Sequence, residues 1–158
     1  MTNTLRQFKA DDAPALASLT VDAIRTIGAQ AYSPEQVEVW SMGHITAERF
    51  VARAEVGHQI YVIADESDAP VAYALLEPDG HLDMLYCSPT HAGRGLAGQL
   101  LMHAEGHART LGVAMLYTEA SELARPAFER AGYRIIRRRD FKLRGVMIHN
   151  YAMEKPLN

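Results

Sequence analysis

Between Gln59 and Cys87 the chain abandons the three-and-four spacing of a helix. Gln59–Ala64, Val71–Glu77 and His81–Cys87 are short runs rich in Ile, Val, Tyr and Leu, separated by Ser67-Asp68-Ala69-Pro70 and Pro78-Asp79-Gly80. Short apolar runs joined by turn residues predict an antiparallel meander of three strands. A meander must bury a face against another layer, and the flanking sequence supplies helices. Leu5–Phe8 reads as an opening strand, and Asp12 as the cap of a helix whose apolar face runs Leu16, Leu19, Ala23, Ile27 before Gly28. Ser33, Pro34 and Gln36 form a capping box, with Tyr32 stapled onto Val37 and a short helix through Trp40. Thr46–Ala54 is a further helical stretch closed by Gly57. After Cys87 come a helix from about Gly95 with Leu100, Ala104, Ala108 and Leu111 on one face, a strand over Ala114–Thr118, and a helix over Arg125–Ala131. A hairpin from Tyr133 to Glu154 follows, turning at Arg144-Gly145. The expected class is α/β: a mixed, mostly antiparallel sheet between two helical layers.

Composition narrows the functions. With 158 residues, the chain fits one domain over 1–158 that buries roughly two thirds of its unfolded surface. Its 48% apolar and 22% charged residues suit a globular protein, and the longest clean apolar run, Val71–Leu76, cannot span a bilayer. The start MTNTLRQFKADD has neither the basic flank nor the apolar stretch of a signal peptide, so a cytoplasmic location is expected. A net charge of −3 gives no pull toward nucleic acid or anionic lipid, and neither nucleic acid nor membrane is expected as a partner. The lone Cys87 excludes an internal disulfide and a thiolate zinc cluster, and no metal is expected.

The segment from Leu82 to Gly98 carries the chemistry. A strand through Leu85, Tyr86 and Cys87 enters the loop Ala92-Gly93-Arg94-Gly95-Leu96-Ala97-Gly98, which opens a helix. Glycines admit a ligand close to the backbone, and the free amides and positive dipole end of the helix suit a pyrophosphate. Read literally, Gly93, Gly95 and Gly98 fit G-x-G-x-x-G, with Glu119 standing 21 residues past Gly98, as in a dinucleotide-binding protein. Against this, Ser88–Ala92 separate the strand from the first glycine, and the strands on either side are not arranged as repeated crossovers.

The same segment resembles the acetyl-CoA loop of the GNAT superfamily, [RQ]-x-x-G-x-[GA], with Gly95 and Ala97 in its last two marked positions and Ala92 where Arg or Gln is usual. Phe128-Glu129-Arg130-Ala131-Gly132-Tyr133 is similar to a second family block, Y-x-x-x-G-[FY], with Phe128 in the place of a tyrosine. The order of elements also follows that superfamily across nearly the whole chain, and the chain resembles a bacterial branch of it. The resemblance implies a GNAT fold and acetyl-CoA as cosubstrate. It implies a cofactor site over Leu85, Tyr86, Cys87, Ala92–Gly98, Ser121 and Phe128, with backbone groups of Leu85 and Cys87 pairing with pantetheine. Loop amides make most pyrophosphate contacts in that superfamily, so Ala92 implies weaker or differently shaped CoA binding.

Acetyl transfer to an amine needs the amine neutral. Removing a proton of pKa about 10.4 at pH 7.4 costs roughly 4 kcal/mol, against about 1.5 kcal/mol to protonate a thiolate of pKa near 8.5. A base therefore matters more than an acid. His81 and Asp83 alternate on one strand face, and His81-Leu82-Asp83-Met84-Leu85 resembles the H-L-H-x-L of arylalkylamine acetyltransferases, with Asp83 replacing the second histidine. Asp83 and His81 are thus the first candidate bases, and Glu119 the reserve. A strand-end histidine beside a turn and a solvated strand-end glutamate are the plain readings of His81 and Glu119. Tyr151 is a candidate proton donor in place of the missing tyrosine hydroxyl. Cys87 reads as packing rather than nucleophile. Tyr32 and Trp40 either line the acceptor site or serve the staple and core. Arg137 and Arg139 share a face of a basic hairpin that reads as solvated, and His103 and His107 have no third metal ligand. The expected partner is a small-molecule or peptide amine, and a homodimer is allowed. Two other functions remain open, a CoA-binding regulatory module and a dinucleotide-binding protein.

Overall fold

The computed structural model describes residues 2–42 and 45–157. Strand β1 (Thr4–Gln7) leads to α1 (Ala13–Thr26), α2 (Pro34–Ser41) and α3 (Ala47–Glu55), and then to β2 (Gln59–Ala64), β3 (Pro70–Leu76) and β4 (Leu82–Cys87). The chain continues through α4 (Leu96–Thr110), β5 (Met115–Ala120), α5 (Arg125–Arg130), β6 (Arg134–Leu143) and β7 (Val146–Pro156). The strands form two sheets, β1-β2-β3-β4 and β5-β7-β6, antiparallel throughout.

Alternation on β2 and β3 builds two cores at once. Ile60, Val62, Tyr73 and Leu75 pack with Leu16, Leu19 and Phe50 from α1 and α3. Their neighbours Tyr61, Ile63, Ala72 and Ala74 pack with Leu100, Leu101 and Ala104 of α4. Both faces of β3 are thus covered by helices, which is why Val71–Leu76 is apolar without a break. No helix among the described residues is long and apolar enough to cross a membrane.

Local chemistry accounts for most of the boundaries. Ser33 Oγ accepts from the Gln36 amide at 3.1 Å and Gln36 Oε1 accepts from the Ser33 amide at 2.9 Å, closing the capping box of α2. Arg144 and Gly145 have φ of 49° and 81° between the paired Leu143 and Val146, a two-residue turn whose positive φ values match strand twist. Two expectations need correction. Asp12 does not cap α1 with its side chain; its carboxylate accepts from Arg6 at 2.8 and 2.9 Å and from the Lys9 amide at 2.8 Å. The strand expected over Ala114–Thr118 begins at Met115 and runs on to Ala120, because Glu119 and Ala120 pair with Ala152 and Tyr151 of β7.

The two sheets meet at one place. A parallel bridge joins His81 to Tyr117, the Tyr117 amide donates to Gly80 O at 3.1 Å, and Thr118 Oγ1 donates to Leu82 O at 2.8 Å. A Cβ on Gly80 would lie 2.3 Å from the Met115 carbonyl oxygen, so only glycine permits this approach. Beyond Leu82, β4 and β5 no longer pair, and a cleft opens between them.

Candidate active site

Three connected cavities follow that cleft. On one side, a groove of about 1390 Å³ is bordered by Gly93, Gly95, Leu96, Ala97 and Gly98, the turn into α4. Gly93 and Gly95 have φ of 77° and 78°, and a Cβ on either would meet nothing within 4 Å, so the space in front of the loop is clear for a ligand. Gly95 is the N-cap of α4, and the first helical amides have no acceptor in the helix. Ala92 also lines the groove, whereas Arg94 is exposed and lines none of the three cavities.

From the groove a narrow channel of about 140 Å³ runs inward. It shares Ile27, Cys87, Ala97, Leu123 and Ala127 with the groove, and Trp40, Leu85, Tyr86, Ser121 and Ala124 with a pocket of about 190 Å³ on the far side. The edge of β4 away from β3 faces this channel without a strand partner, the condition under which an extended arm can bond to backbone groups. Burial pushes the Cys87 thiol pKa up, and Sγ rests 3.5 Å from Ser88 O, so at neutral pH it is a thiol that packs the channel wall.

The far pocket holds both carboxylates singled out from sequence, Asp83 and Glu119, together with Tyr32, Trp40 and Phe128. Phe128 is buried edge-on against Tyr133, ring centres 5.0 Å apart. Tyr151 lines none of the three cavities; its hydroxyl donates to Glu122 Oε2 at 2.9 Å.

Behind the pocket lies a charge cluster. His81 Nδ1 is 3.0 Å from Glu77 Oε1 and Nε2 is 2.7 Å from Glu119 Oε1, while Asp83 stands 4.0 Å from Nδ1. Burial opposes charge on His81, but the bonds to Glu119 and Glu77, with Asp83 nearby, outweigh it and push the pKa up to about 9. The imidazole is therefore cationic at neutral pH and uses both nitrogens as donors. The hydrogen bond from His81, against the opposing effect of burial, holds Glu119 below its usual range. Arg53 of α3 donates to Glu77 Oε2 at 2.7 Å and pairs with Asp83 Oδ2 at 2.9 Å. Ligand atoms of Glu77, His81 and Asp83 lie within 4.8 Å of one another, and Arg53 supplies the positive charge that a metal would bring.

Sequence reasoning missed Arg53, inside the helical stretch Thr46–Ala54, and Glu77, the last residue of the strand run Val71–Glu77, and also Glu122 and His149. His149 lines the pocket, and its Nε2 lies 2.6 Å from Glu122 Oε2.

The acetyltransferase (GNAT) domain family model matches residues 28–155. The chain belongs to the GNAT acetyltransferase family. Membership makes it an N-acetyltransferase with acetyl-CoA as acyl donor. YafP of Escherichia coli, an uncharacterized N-acetyltransferase, is 26% identical over 94% of the chain and 93% of its own length. A GCN5-related N-acetyltransferase structure from Rhodopseudomonas palustris is 32% identical, with a TM-score of 0.88 over 99% of this chain and 97% of that one. The PaiA N-acetyltransferase of Thermoplasma acidophilum, solved with coenzyme A, shares the fold at TM-score 0.79 and 16% identity, over 99% of this chain and all of its own. In this GNAT chain the loop of the groove is the segment Ala92–Gly98.

Proposed function

We propose that residues 1–158 act as one domain that moves the acetyl group of acetyl-CoA directly onto the primary amine of a small cation with an apolar body. The continuity of the three cavities carries this reading. Pyrophosphate rests on the Gly93–Gly98 turn, the pantetheine arm threads the channel along Leu85 and Cys87, and the thioester emerges at Ser121 and Ala124 beside the far pocket. The amine waits in that pocket, so both substrates are bound when the bond forms.

The pocket's chemistry favours such an acceptor. Among the described residues, Glu77, Asp83 and Glu119 form close ion pairs with two cations, His81 and Arg53, while Arg139 attracts Glu119 only through space, so an ammonium beside Asp83 and Glu119 supplies a third close partner for the three carboxylates. Tyr32, Trp40, Phe141, Leu143 and Ile148 supply an apolar wall, and no Lys or Arg stands among the described lining residues to take a carboxylate. At about 190 Å³ the pocket is smaller than the roughly 300–1,000 Å³ that hold drug-sized ligands. Asp83 is read as an anchor rather than the proton acceptor expected from sequence, because Arg53 occupies its Oδ2. The cytoplasm, where acetyl-CoA is made and used, is the proposed location.

Thiol release with 2-phenylethylamine, hexylamine, L-phenylalanine and spermidine tests the acceptor class. The first two are expected to exceed the others in kcat/KM by at least about tenfold, or 1.4 kcal/mol. Preference for L-phenylalanine or spermidine contradicts the acceptor assignment. Acetyl-CoA binding without turnover on any amine returns the regulatory-module reading.

A further inference from the structure

The oxygens left open in the cluster around His81, Asp83 Oδ1 and Glu119 Oε2, are read as holding the acceptor ammonium rather than taking its proton, and His81 holds the Glu119 carboxylate below its usual range. Both imidazole nitrogens of His81 are engaged, Asp83 gives Oδ2 to Arg53, and Glu119 gives Oε1 to His81. One imidazole on the pocket wall lies outside that cluster. His149, on β7, has a side chain 15% exposed, and its Nε2 lies 2.6 Å from Glu122 Oε2. A carboxylate can only accept, so Nε2 carries the hydrogen, and in the neutral ring Nδ1 is left as a lone pair. Among the described residues, Nδ1 has no hydrogen-bond partner.

Glu122 is itself held from several directions. Arg125 donates to Oε1 at 3.0 Å, the Tyr151 hydroxyl to Oε2 at 2.9 Å, and the Glu122 amide to the Tyr32 hydroxyl at 2.9 Å. Tyr32 in turn donates to the His149 carbonyl at 2.9 Å, and its ring lies 5.3 Å from the imidazole. Across the hairpin, Asp140 pairs with His149 in register and is bound by Arg138. The imidazole is thus fixed by a carboxylate that is fixed in its turn, which is the arrangement that orients an active-site base.

We propose that His149, oriented by Glu122, takes the proton from the acceptor ammonium, directly or through one water. This rests on reading the far pocket as the acceptor site. Nδ1 receives one proton from the ammonium, and the nitrogen lone pair then forms the N–C bond to the acetyl carbonyl carbon. Collapse breaks the C–S bond and the nitrogen gives up its second proton. The CoA thiolate gains one proton, and the other passes from His149 to solvent, so the balance is one amide, one thiol and one proton released. Tyr151 acts as a positioning residue through Glu122, not as the acid that replaces a hydroxyl at Phe128.

The test is a pH profile of kcat with acetyl-CoA and 2-phenylethylamine saturating. His149→Gln keeps a donor for Glu122 but has no basic nitrogen. It should lower kcat about 30-fold at pH 7.5, short of the 10²–10⁴ of a fully aligned base because water can still accept the proton. The acidic limb of the wild-type profile should disappear, and the acetyl-CoA KM should stay within about twofold. In His149→Ala, added imidazole should restore kcat several-fold, which a purely structural histidine would not allow. A folded His149→Gln enzyme with wild-type kcat and pH profile overturns the proposal, as does a His149→Ala enzyme that imidazole does not rescue. A wild type that turns over none of the amines overturns both this proposal and the acetyl-transfer reading, whereas an active wild type indifferent to His149 overturns this proposal alone.

Discussion

A Gly95→Asp variant is expected to bind acetyl-CoA roughly a thousandfold more weakly while keeping its fold. Gly95 sits at φ 78° at the N-cap of α4, and its missing Cβ points into open space bordering the groove. A left-handed conformation costs an L-residue about 1–2 kcal/mol, and Asp is among the residues that tolerate it, so unfolding is not the expected outcome. A carboxylate there stands where the pyrophosphate is read to lie. Two unit charges 4 Å apart at an effective dielectric of 20 repel by about 4 kcal/mol, close to the thousandfold loss expected. Calorimetric titration with acetyl-CoA, beside a melting curve for each protein, measures both halves of the expectation. Wild-type affinity in a folded variant removes the phosphate assignment from this loop.

Asp83→Asn is expected to lower kcat/KM for 2-phenylethylamine by roughly a hundredfold and to leave acetyl-CoA affinity within about twofold. Asp83 is on the pocket wall, away from the channel, and gives one oxygen to Arg53. Neutralising it removes the carboxylate read to hold the ammonium, and a hydrogen bond to a charged group is worth about 1.5–3 kcal/mol. The substitution is nearly isosteric, so Arg53 keeps Glu77 as its partner at 2.7 Å. The loss should fall mainly on the acceptor KM, because the anchor acts before the transition state. Steady-state kinetics with the amine varied at saturating acetyl-CoA separate the two constants. An unchanged acceptor KM would move the anchor to Glu119.

How far the sequence carried the account depended on the distance over which each feature is encoded. The meander, the capping box of Ser33 and Gln36, the turn at Arg144-Gly145 and the glycine-rich entry to α4 are local patterns, and each forms where spacing and turn chemistry put it. Asp12 went astray because a residue six positions earlier, Arg6, outbids the helix amides for its carboxylate. The end of β5 was missed because Glu119 and Ala120 are strand residues only through pairing with β7.

The site was legible as two separate strips and not as one constellation. Asp83 and Glu119 were both named, yet nothing in the sequence told that Gly80 lets the β3–β4 turn press against Met115 and bring His81 within 2.7 Å of Glu119. Arg53 and His149 reach the site from α3 and β7, with the flanking sequence of an ordinary helix and hairpin. Their roles arise from tertiary contacts with Asp83 and Glu122 that periodicity cannot register.

The central claim is that acetyl-CoA and the amine meet across the channel and react without an acetylated enzyme. Initial rates of thiol release, measured over a grid of acetyl-CoA and 2-phenylethylamine concentrations, test it most directly. The account predicts intersecting double-reciprocal lines and no thiol release without amine; parallel lines, with a burst of thiol from acetyl-CoA alone, would contradict it.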